Sequence, residues 1–386
     1  MSERIQEIVA GLPELKDVTG VWAVADERVA RGDAAFAADL GVALARAYGH
    51  AEPLWQYRSV FGHLLRLLAT TAGPGNVTEA LRLVSSPEAA DRKRDRYTAS
   101  LPASCRRPDE LAVAFSGHAS EELRACLVHE LVLRGVAVDE EPGIARWAVS
   151  PHWRYHPLGW LPLTLSGMED GADLPGYSLG GSSHAMPYGP SEGGPYRGNA
   201  GARVPSAAEV TTPQLAAALT SAVANWAEES NGVVEARVFE FAGPLDTGAV
   251  PAALLTLGLE SLAGAGRKKA ALSVAACPPA QASRVLFAAA STGGAYNSGS
   301  HGAHGRLAAW RSLAALAGVA DGAGATEVEA RVPECAWFGF NARTDWFEQV
   351  AWDIGLAALS PDGRCLAVLA ATDTTEAPGP PTVPRR

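Results

Sequence analysis

Residues 352–373 read WDIGLAALSPDGRCLAVLAATD, and this stretch decides the fold of the C-terminal half. Two apolar runs, 352–359 and 365–371, flank the tetrapeptide Ser360-Pro361-Asp362-Gly363. Tight turns favour these residue types, because proline fixes φ, aspartate hydrogen-bonds the local backbone and glycine accepts a positive φ. The pattern therefore predicts a β-hairpin, and with it a sheet.

Strand-like and helix-like segments alternate over the rest of residues 213–373. Thr212-Pro213 is a capped helix start with proline at the first helical position. Further strands are predicted at 234–241, 272–277 and 328–332, and helices at 214–229, 249–263, 278–290 and 305–317. A sheet with helices packed on it follows, in α+β or α/β style.

Residues 1–150 are predicted to form an all-helical subdomain of antiparallel helices. Asp33 is a suitable N-cap for a helix over 34–48, and Ser120 for one over 121–134 that ends before Gly135. Asn76-Val77-Thr78-Glu79 has the spacing of a capping box. Together with the mixed C-terminal half, these helices give an α+β chain.

A segment rich in glycine, proline and aromatic residues, 151–212, connects the two halves. A structureless loop of this length is unusual in a compact domain, and its aromatic residues indicate that much of it is packed. We expect it to wrap the helical half, to cover a site or to serve as a docking surface. The last residues, 374–386, contain four prolines and are predicted to be a disordered tail.

The composition restricts the class of protein. The chain has 386 residues, 47% of them hydrophobic, and a net charge of −10. Wholesale disorder is excluded, and no global basic footprint for nucleic acid or an anionic membrane is present. No stretch of about 18 apolar residues and no signal peptide are recognised. The five cysteines are far apart without a CxxC, which indicates free thiols and a cytoplasmic location.

The stretch 293–306 (GGAYNSGSHGAHGR) is the best candidate site. Glycines allow close backbone approach, and a helix start offers unpaired N–H groups to an anion. Arg306 would contact a phosphate or carboxylate, with His301 or His304 as acid or base. The remaining candidate ligand contacts are Tyr296, Asn297, Ser298 and Gly299. The alternative is a tight structural connection, with Arg306 stacked on Trp310 at the surface.

Asp353 and Asp373 are the second candidate, because a hairpin places them near one end of two paired strands. Asp353 is expected opposite Ala370 or Ala371, where the two carboxylates would bind a divalent metal or share a proton, joined by Asp345. The alternative is that Asp353 faces solvent and that Asp373 only ends its strand.

Other chemistry has weaker support. Cys126 and His129 are three residues apart on one helix face, yet a structural zinc site needs about four ligands, so a buried cysteine beside a hydrogen-bonded core histidine is expected instead. No serine stands in a GxSxG motif. Residues 152–157 (HWRYHP) alternate aromatic and basic side chains, and in an acidic chain they indicate a packed aromatic lid rather than a nucleic-acid surface. No metal or cofactor is assigned.

Four stretches carry a resemblance to a known family: 33–44 (DAAFAADLGVAL), 55–69 (WQYRSVFGHLLRLLA), 293–316 (GGAYNSGSHGAHGRLAAWRSLAAL) and 350–373 (VAWDIGLAALSPDGRCLAVLAATD). The chain resembles an uncharacterised actinobacterial family, a domain of unknown function, over its whole length except the C-terminal tail. The resemblance implies a cytosolic actinobacterial protein. It implies no activity, cofactor or catalytic residue.

Two functions stay open. The first is a cytosolic binding or interaction protein without chemistry of its own, which the missing catalytic motifs favour. The alternative is an enzyme acting on a small phosphate or carboxylate substrate at 293–306, with Asp353 as the partner of the histidine acid/base. An enzyme requires the histidines, Arg306 and Asp353 to meet in one pocket. An exposed apolar patch near Tyr177–Tyr196 would favour binding, to a protein or a small anion rather than to nucleic acid or a membrane.

Overall fold

The computed structural model describes residues 2–50, 54–73, 75–89, 91–117, 119–169, 171, 173–184, 203–265, 271–348 and 352–375. The chain forms two compact units, an N-terminal unit of residues 1–164 and 174–184 and a C-terminal unit of residues 165–173 and 185–386. Helices dominate the first and a six-stranded sheet lies in the second, so the α+β class is confirmed. Of the predicted tail, residues 376–386 lie outside the described residues.

The N-terminal unit is built from helices and one small hairpin. Its helices are α1 Glu3–Gly11, α2 Thr19–Ala30, α3 Ala34–Tyr48, α4 Trp55–Thr70, α5 Asn76–Val84, α6 Arg92–Ala103, α7 Pro108–Leu111, α8 Val113–Ser116, α9 Glu121–Leu133, α10 Pro142–Trp147 and α11 Pro151–Tyr155. The hairpin pairs β1 Gly176–Ser178 with β2 Gly181–Ser183. Short 3₁₀ turns occupy Leu12–Glu14 and Pro157–Trp160.

Local capping explains where two of these helices begin. The Asp33 carboxylate accepts a hydrogen bond from the Phe36 N–H at 3.3 Å, and the Ser120 hydroxyl accepts one from the Leu123 N–H at 3.0 Å. Both caps confirm the prediction. The capping box predicted at Asn76 is wrong, because Gly75 (φ 85°) takes the cap position and the Asn76 amide turns back to donate to the Thr71 carbonyl.

The C-terminal unit is organised by an antiparallel sheet. Its strands are β3 Ala207–Glu209, β4 Val233–Phe241, β5 Leu272–Ala276, β6 Ala336–Ala342, β7 Ile354–Leu359 and β8 Cys365–Thr372, in the order β3-β4-β8-β7-β6-β5. Its helices are α12 Pro213–Leu219, α13 Ala224–Glu229, α14 Val250–Thr256, α15 Pro279–Thr292, α16 His301–Leu316 and α17 Ala325–Arg331. Short 3₁₀ turns occupy Gly167–Glu169, Thr247–Ala249, Glu260–Leu262 and Val332–Glu334.

The two faces of this sheet bury different layers. On one face, side chains such as Phe239, Phe340 and Val368 form a core with Val250 and Leu254 of α14. Helices α15 and α16 pack on each other, and α16 also contacts β8. Because side chains alternate along a strand, neighbouring residues of β7 or β8 belong to different layers. This alternation decides below which acidic residues can meet.

The hairpin predicted around Pro361-Asp362 is confirmed. Strands β7 and β8 pair with Leu359 opposite Leu366, and the Ser360 N–H donates to the Cys365 carbonyl at 2.9 Å. Gly363 has a φ of 68°, a conformation that glycine adopts without steric cost.

Other element predictions were wrong in part. Residues 328–332 are not a strand, since α17 covers most of them; Val328 and Val332 are four residues apart and both fully buried, which is helical spacing. The helix predicted over 214–229 is divided into α12 and α13. The helix predicted from 305 begins at His301, four residues earlier.

Candidate functional site

The connection between α15 and α16, residues 293–300, is shorter than the sequence predicted. Gly293 and Gly299 have φ values of 82° and 64°, and His301 at the start of α16 has a φ of 59°. A positive φ is uncommon outside glycine, although histidine is among the residues enriched there. His301 and His304 therefore lie in the first turn of α16 and are half-buried, while Ser298 is exposed in the connection.

Asn297 ties this connection to itself and to the preceding helices. Its side-chain oxygen accepts hydrogen bonds from the N–H groups of Gly294 at 2.9 Å and Gly299 at 3.3 Å. Its side-chain nitrogen donates to the Asn225 carbonyl. A Cβ atom on Gly293 would lie 1.8 Å from the Asn297 side-chain oxygen. The amide predicted to contact a ligand is thus engaged in holding the backbone.

Asp373 anchors the same connection from the end of β8. Its carboxylate, 0% exposed, accepts hydrogen bonds from the Ala295 N–H at 2.6 Å and the Ser230 hydroxyl at 2.7 Å. The Ser230 oxygen in turn accepts from the Tyr296 N–H at 3.1 Å. A Cβ on Gly294 would come within 2.0 Å of the Asp373 carboxylate. Asp373 therefore stabilises the turn, a role that the sequence did not predict.

Arg306 is buried in an ion pair. Its guanidinium donates to both carboxylate oxygens of Glu169, at 2.6 Å from Nε and 2.7 Å from Nη2, and the residue is only 1% exposed. It also lies 5.8 Å from the centre of the Trp310 ring, and that tryptophan is buried as well. The predicted stacking on Trp310 is thus present, but in the interior rather than at the surface. Glu169 was not among the predicted site residues, although a buried arginine calls for an acidic partner.

Asp353 does not join Asp373. Ile354 pairs with Ala371, so Asp353 lies beside Thr372, whose hydroxyl donates to its carboxylate at 2.7 Å. The position predicted opposite Asp353 was Ala370 or Ala371. Because Thr372 and Asp373 are consecutive, their side chains lie on opposite faces of the sheet. Asp353 is buried on the α14 side, Asp373 reaches the α15–α16 connection, and Asp345 is exposed.

The structure thus brings together only part of the predicted constellation. Tyr296, Asn297, Ser298 and Gly299 lie in one turn, with the two histidines directly after it. Tyr296 exposes its ring while its hydroxyl donates to the Thr375 carbonyl. Arg306 and Asp353 are held elsewhere, by Glu169 and by Thr372.

The N-terminal unit presents a different kind of candidate around α10 and α11. Trp147 and Trp153 are buried and stack edge to face with ring centres 5.5 Å apart, and Phe115 lies 5.8 Å from Trp147. Close to these tryptophans in sequence, Tyr155 is 84% exposed and Val149 is 75% exposed. The lid expected at 152–157 is therefore packed at Trp153 and open at Tyr155.

Three basic side chains accompany these two apolar ones. Arg146, His152 and Arg154 are all exposed. We call the exposed side chains of Arg146, Val149, His152, Arg154 and Tyr155 the 146–155 surface. Its backbone is fixed from below, because the Ser150 hydroxyl caps α11 and the Trp147 indole N–H donates to Glu121 at 3.0 Å.

Cys126 and His129 of α9 lie in the core, as predicted. Cys126 and His129 are both fully buried, and the His129 ring bonds the Leu158 carbonyl through Nε2 at 2.8 Å. Burial raises the pKa of the Cys126 thiol well above its ordinary value. In the absence of a metal ion the thiol is therefore the protonated form at neutral pH.

Asp95, a carboxyl of the N-terminal unit, has a raised pKa. Asp95 in α6 is buried and accepts a hydrogen bond from the Ser120 hydroxyl at 2.6 Å. Burial, which disfavours the ionised form, raises the pKa of Asp95 to about 6, and the charge of Glu122 adds to the rise.

The fold is of the α+β class, and the residues described above are its candidate sites. Residues 19–375 match the model of a family of unknown function, DUF6183, and the chain belongs to this family. No curated protein and no solved structure matches the chain. In the described part of the chain, no helix has the length and apolar character that crossing a membrane requires.

Proposed function

We propose that this chain is a binding protein without chemistry of its own, and that it docks a protein partner on the 146–155 surface. The observation that carries the proposal is the exposure of Tyr155 and Val149 in a segment whose two tryptophans, Trp147 and Trp153, are packed together in the interior. Tyrosines held on rigid backbone are frequent anchors of interfaces, since they bury a large area at little entropic cost.

The charges of the surface define the chemistry of the partner. Arg146 and Arg154 are exposed cations close in sequence, with His152 between them, on a chain whose net charge is −10. A segment with an apolar side chain flanked by aspartate or glutamate complements both features. Association with such a segment is expected to weaken as salt is added, because the exposed charges are screened.

The alternative is an enzyme acting on a phosphate or carboxylate substrate at 293–306. That function would need Arg306 to leave Glu169, and a catalytic partner in place of Asp353 for the histidines. Arg306 contacts Glu169 and Asp353 accepts a hydrogen bond from Thr372. These contacts support a binding function over a catalytic one.

The proposal places the protein in the cytoplasm. All five cysteines lie among the described residues, and each is a free thiol. Free thiols are maintained in reducing compartments, which supports this location.

Fluorescence polarisation with short labelled peptides tests the docking surface. One peptide carries leucine and phenylalanine between glutamates, and the matched peptide has lysine in place of each glutamate. We expect saturable binding of the acidic peptide alone, weakened about thirtyfold by Tyr155→Ser, the loss of about 2 kcal/mol typical of an interface anchor. The control Arg58→Gln, at an exposed arginine of α4, should leave binding unchanged.

Two results would contradict the proposal. The first is no binding of the acidic peptide up to about 1 mM, beyond which specific docking has little meaning. The second is equal affinity of wild type and Tyr155→Ser, which would place any interaction on another surface.

A further inference from the structure

A groove at the β3 edge of the sheet has no role in the proposed docking. It lies in the C-terminal unit between β3, β4 and the end of α14, and its volume is about 460 Å³. Pockets for small molecules commonly span about 300–1,000 Å³. The groove is therefore large enough for a metabolite of modest size.

Part of the groove lining is apolar. Val204 and Leu257 are half-buried against the sheet core, whereas Phe239 of β4 is only 3% exposed and lies beneath the Arg237 guanidinium. Val204 and Leu257 come from separate segments of the chain. They offer a small apolar surface for one aliphatic or aromatic group.

One cation and one anion stand together in the groove. The Arg237 guanidinium donates to the Glu209 carboxylate and, at 2.7 Å, to the Gly258 carbonyl. It lies 5.0 Å from the centre of the Phe239 ring. Among the described residues no acceptor contacts Arg237 Nε, so this guanidinium has donor capacity left on a half-buried side chain.

Glu235, the second acid near Arg237, is buried and lies 3.7 Å from Nη1 of that arginine, and other donors satisfy its oxygens. Its carboxylate accepts from the N–H groups of Glu260 and Ser261, at 2.8 and 2.9 Å, and from the Ser261 hydroxyl at 2.6 Å. Glu209, by contrast, is exposed and pairs chiefly with Arg237, whose hydrogen bond lowers the pKa of Glu209. Glu209 and Arg237 are thus both charged at neutral pH, and both border the groove.

We propose that this groove binds a free α-amino acid with an apolar side chain. The carboxylate of the amino acid would accept hydrogen bonds from Arg237, its ammonium group would donate to Glu209, and its side chain would lie against Val204 and Leu257. A simple carboxylate would meet Glu209 as a like charge, and a simple amine would meet Arg237. Only a zwitterion complements both groups. The exchange disturbs a half-exposed ion pair, which holds its partners weakly.

Isothermal titration calorimetry with leucine and two truncated analogues tests this site. Isocaproate lacks the ammonium group of leucine, and isoamylamine lacks its carboxylate. We expect leucine to bind and each analogue to bind at least about tenfold more weakly, since each loses one charged contact. The proposal is overturned if leucine shows no binding up to about 10 mM, or if either analogue matches it.

Two variants assign the contacts. Arg237→Gln should abolish leucine binding, and Glu209→Gln should weaken leucine and strengthen isocaproate, because the repelling charge is gone. Arg364→Gln, at an exposed arginine of the β7–β8 turn, is the matched control. Leucine binding that survives in folded Arg237→Gln, or an unchanged preference in Glu209→Gln, would overturn the proposal. These outcomes are independent of peptide docking on the 146–155 surface.

Discussion

Replacing Glu169 with methionine should strongly destabilise the C-terminal unit. The substitution removes the carboxylate that accepts two hydrogen bonds from the Arg306 guanidinium, a group that is 1% exposed. Removing one partner of a buried ion pair costs about 3–5 kcal/mol, because the charge that stays in the interior loses its bidentate counterion. With a urea m-value of about 2 kcal/mol/M, the unfolding midpoint should fall by about 2 M.

A double-mutant cycle measures the interaction between Arg306 and Glu169. Wild type, Glu169→Met, Arg306→Met and the double variant are unfolded in urea, and unfolding is followed by circular dichroism. Arg306→Met should cost less than Glu169→Met, since it leaves a carboxylate able to bind a proton, and the double variant should recover most of the loss. The resulting coupling free energy should be about 2–3 kcal/mol. Glu334→Gln, in the more exposed Arg331–Glu334 pair of the same unit, should cost less than about 1 kcal/mol.

A wild-type unfolding midpoint for Glu169→Met would refute this account of the pair. The Glu169 carboxylate would then not be needed to stabilise the Arg306 guanidinium in the fold. A phosphate or carboxylate that stabilises wild type but not Arg306→Met would show instead that Arg306 contributes to an anion site.

Three further substitutions test the local geometry. Gly294→Ala should cost about 1–3 kcal/mol in urea unfolding, because its Cβ would lie 2.0 Å from Asp373, whereas Gly243→Ala, with open space around its Cβ, should change the stability by less than about 1 kcal/mol. The free energy of unfolding of Asp95→Asn should rise relative to that of wild type between pH 4 and pH 7, by up to about 3 kcal/mol. The pKa of Asp95 is about 6 in the folded state and 3.8 in the unfolded state, so ionisation of this carboxyl in that interval destabilises wild type. A difference that is flat across this interval would contradict the raised pKa. His301→Val should be less stable than His301→Asn by about 1–2 kcal/mol in thermal unfolding, since a β-branched residue tolerates a φ of 59° poorly; equal stabilities would contradict the assigned backbone.

Local signals made several elements predictable from the sequence. Asp33 and Ser120 cap their helices through hydrogen bonds to residues three positions further along the chain. The β7–β8 turn is formed by four consecutive residues. The element predictions failed where the same residues fit both a strand pattern and a helix pattern. Val328 and Val332 look like a short β-branched strand, but their spacing of four fits the helix that forms.

The candidate site was less predictable because its decisive contacts are distant in sequence. Arg306 and Glu169 are 137 residues apart, and nothing near either residue identifies the other. The predicted meeting of Asp353 and Asp373 depended on how β7 and β8 are aligned. A shift of one residue in that register moves a side chain to the opposite face of the sheet. The placement of Asp353 beside Thr372, with Asp373 on the other face, follows from that register. Segment 185–202, which includes Tyr188 and Tyr196, lies outside the described residues; Tyr177 is half-buried and packs against Tyr97.

Hydrogen–deuterium exchange of the protein with and without the acidic peptide is the most direct test of the central claim. If the chain is a binding protein that docks its partner through Tyr155 and its neighbours, protection should appear in α10 and α11 and leave the α15–α16 connection unchanged. Protection at 293–306 with none at 146–155 would contradict the account. It would favour the alternative, a phosphate or carboxylate site at 293–306.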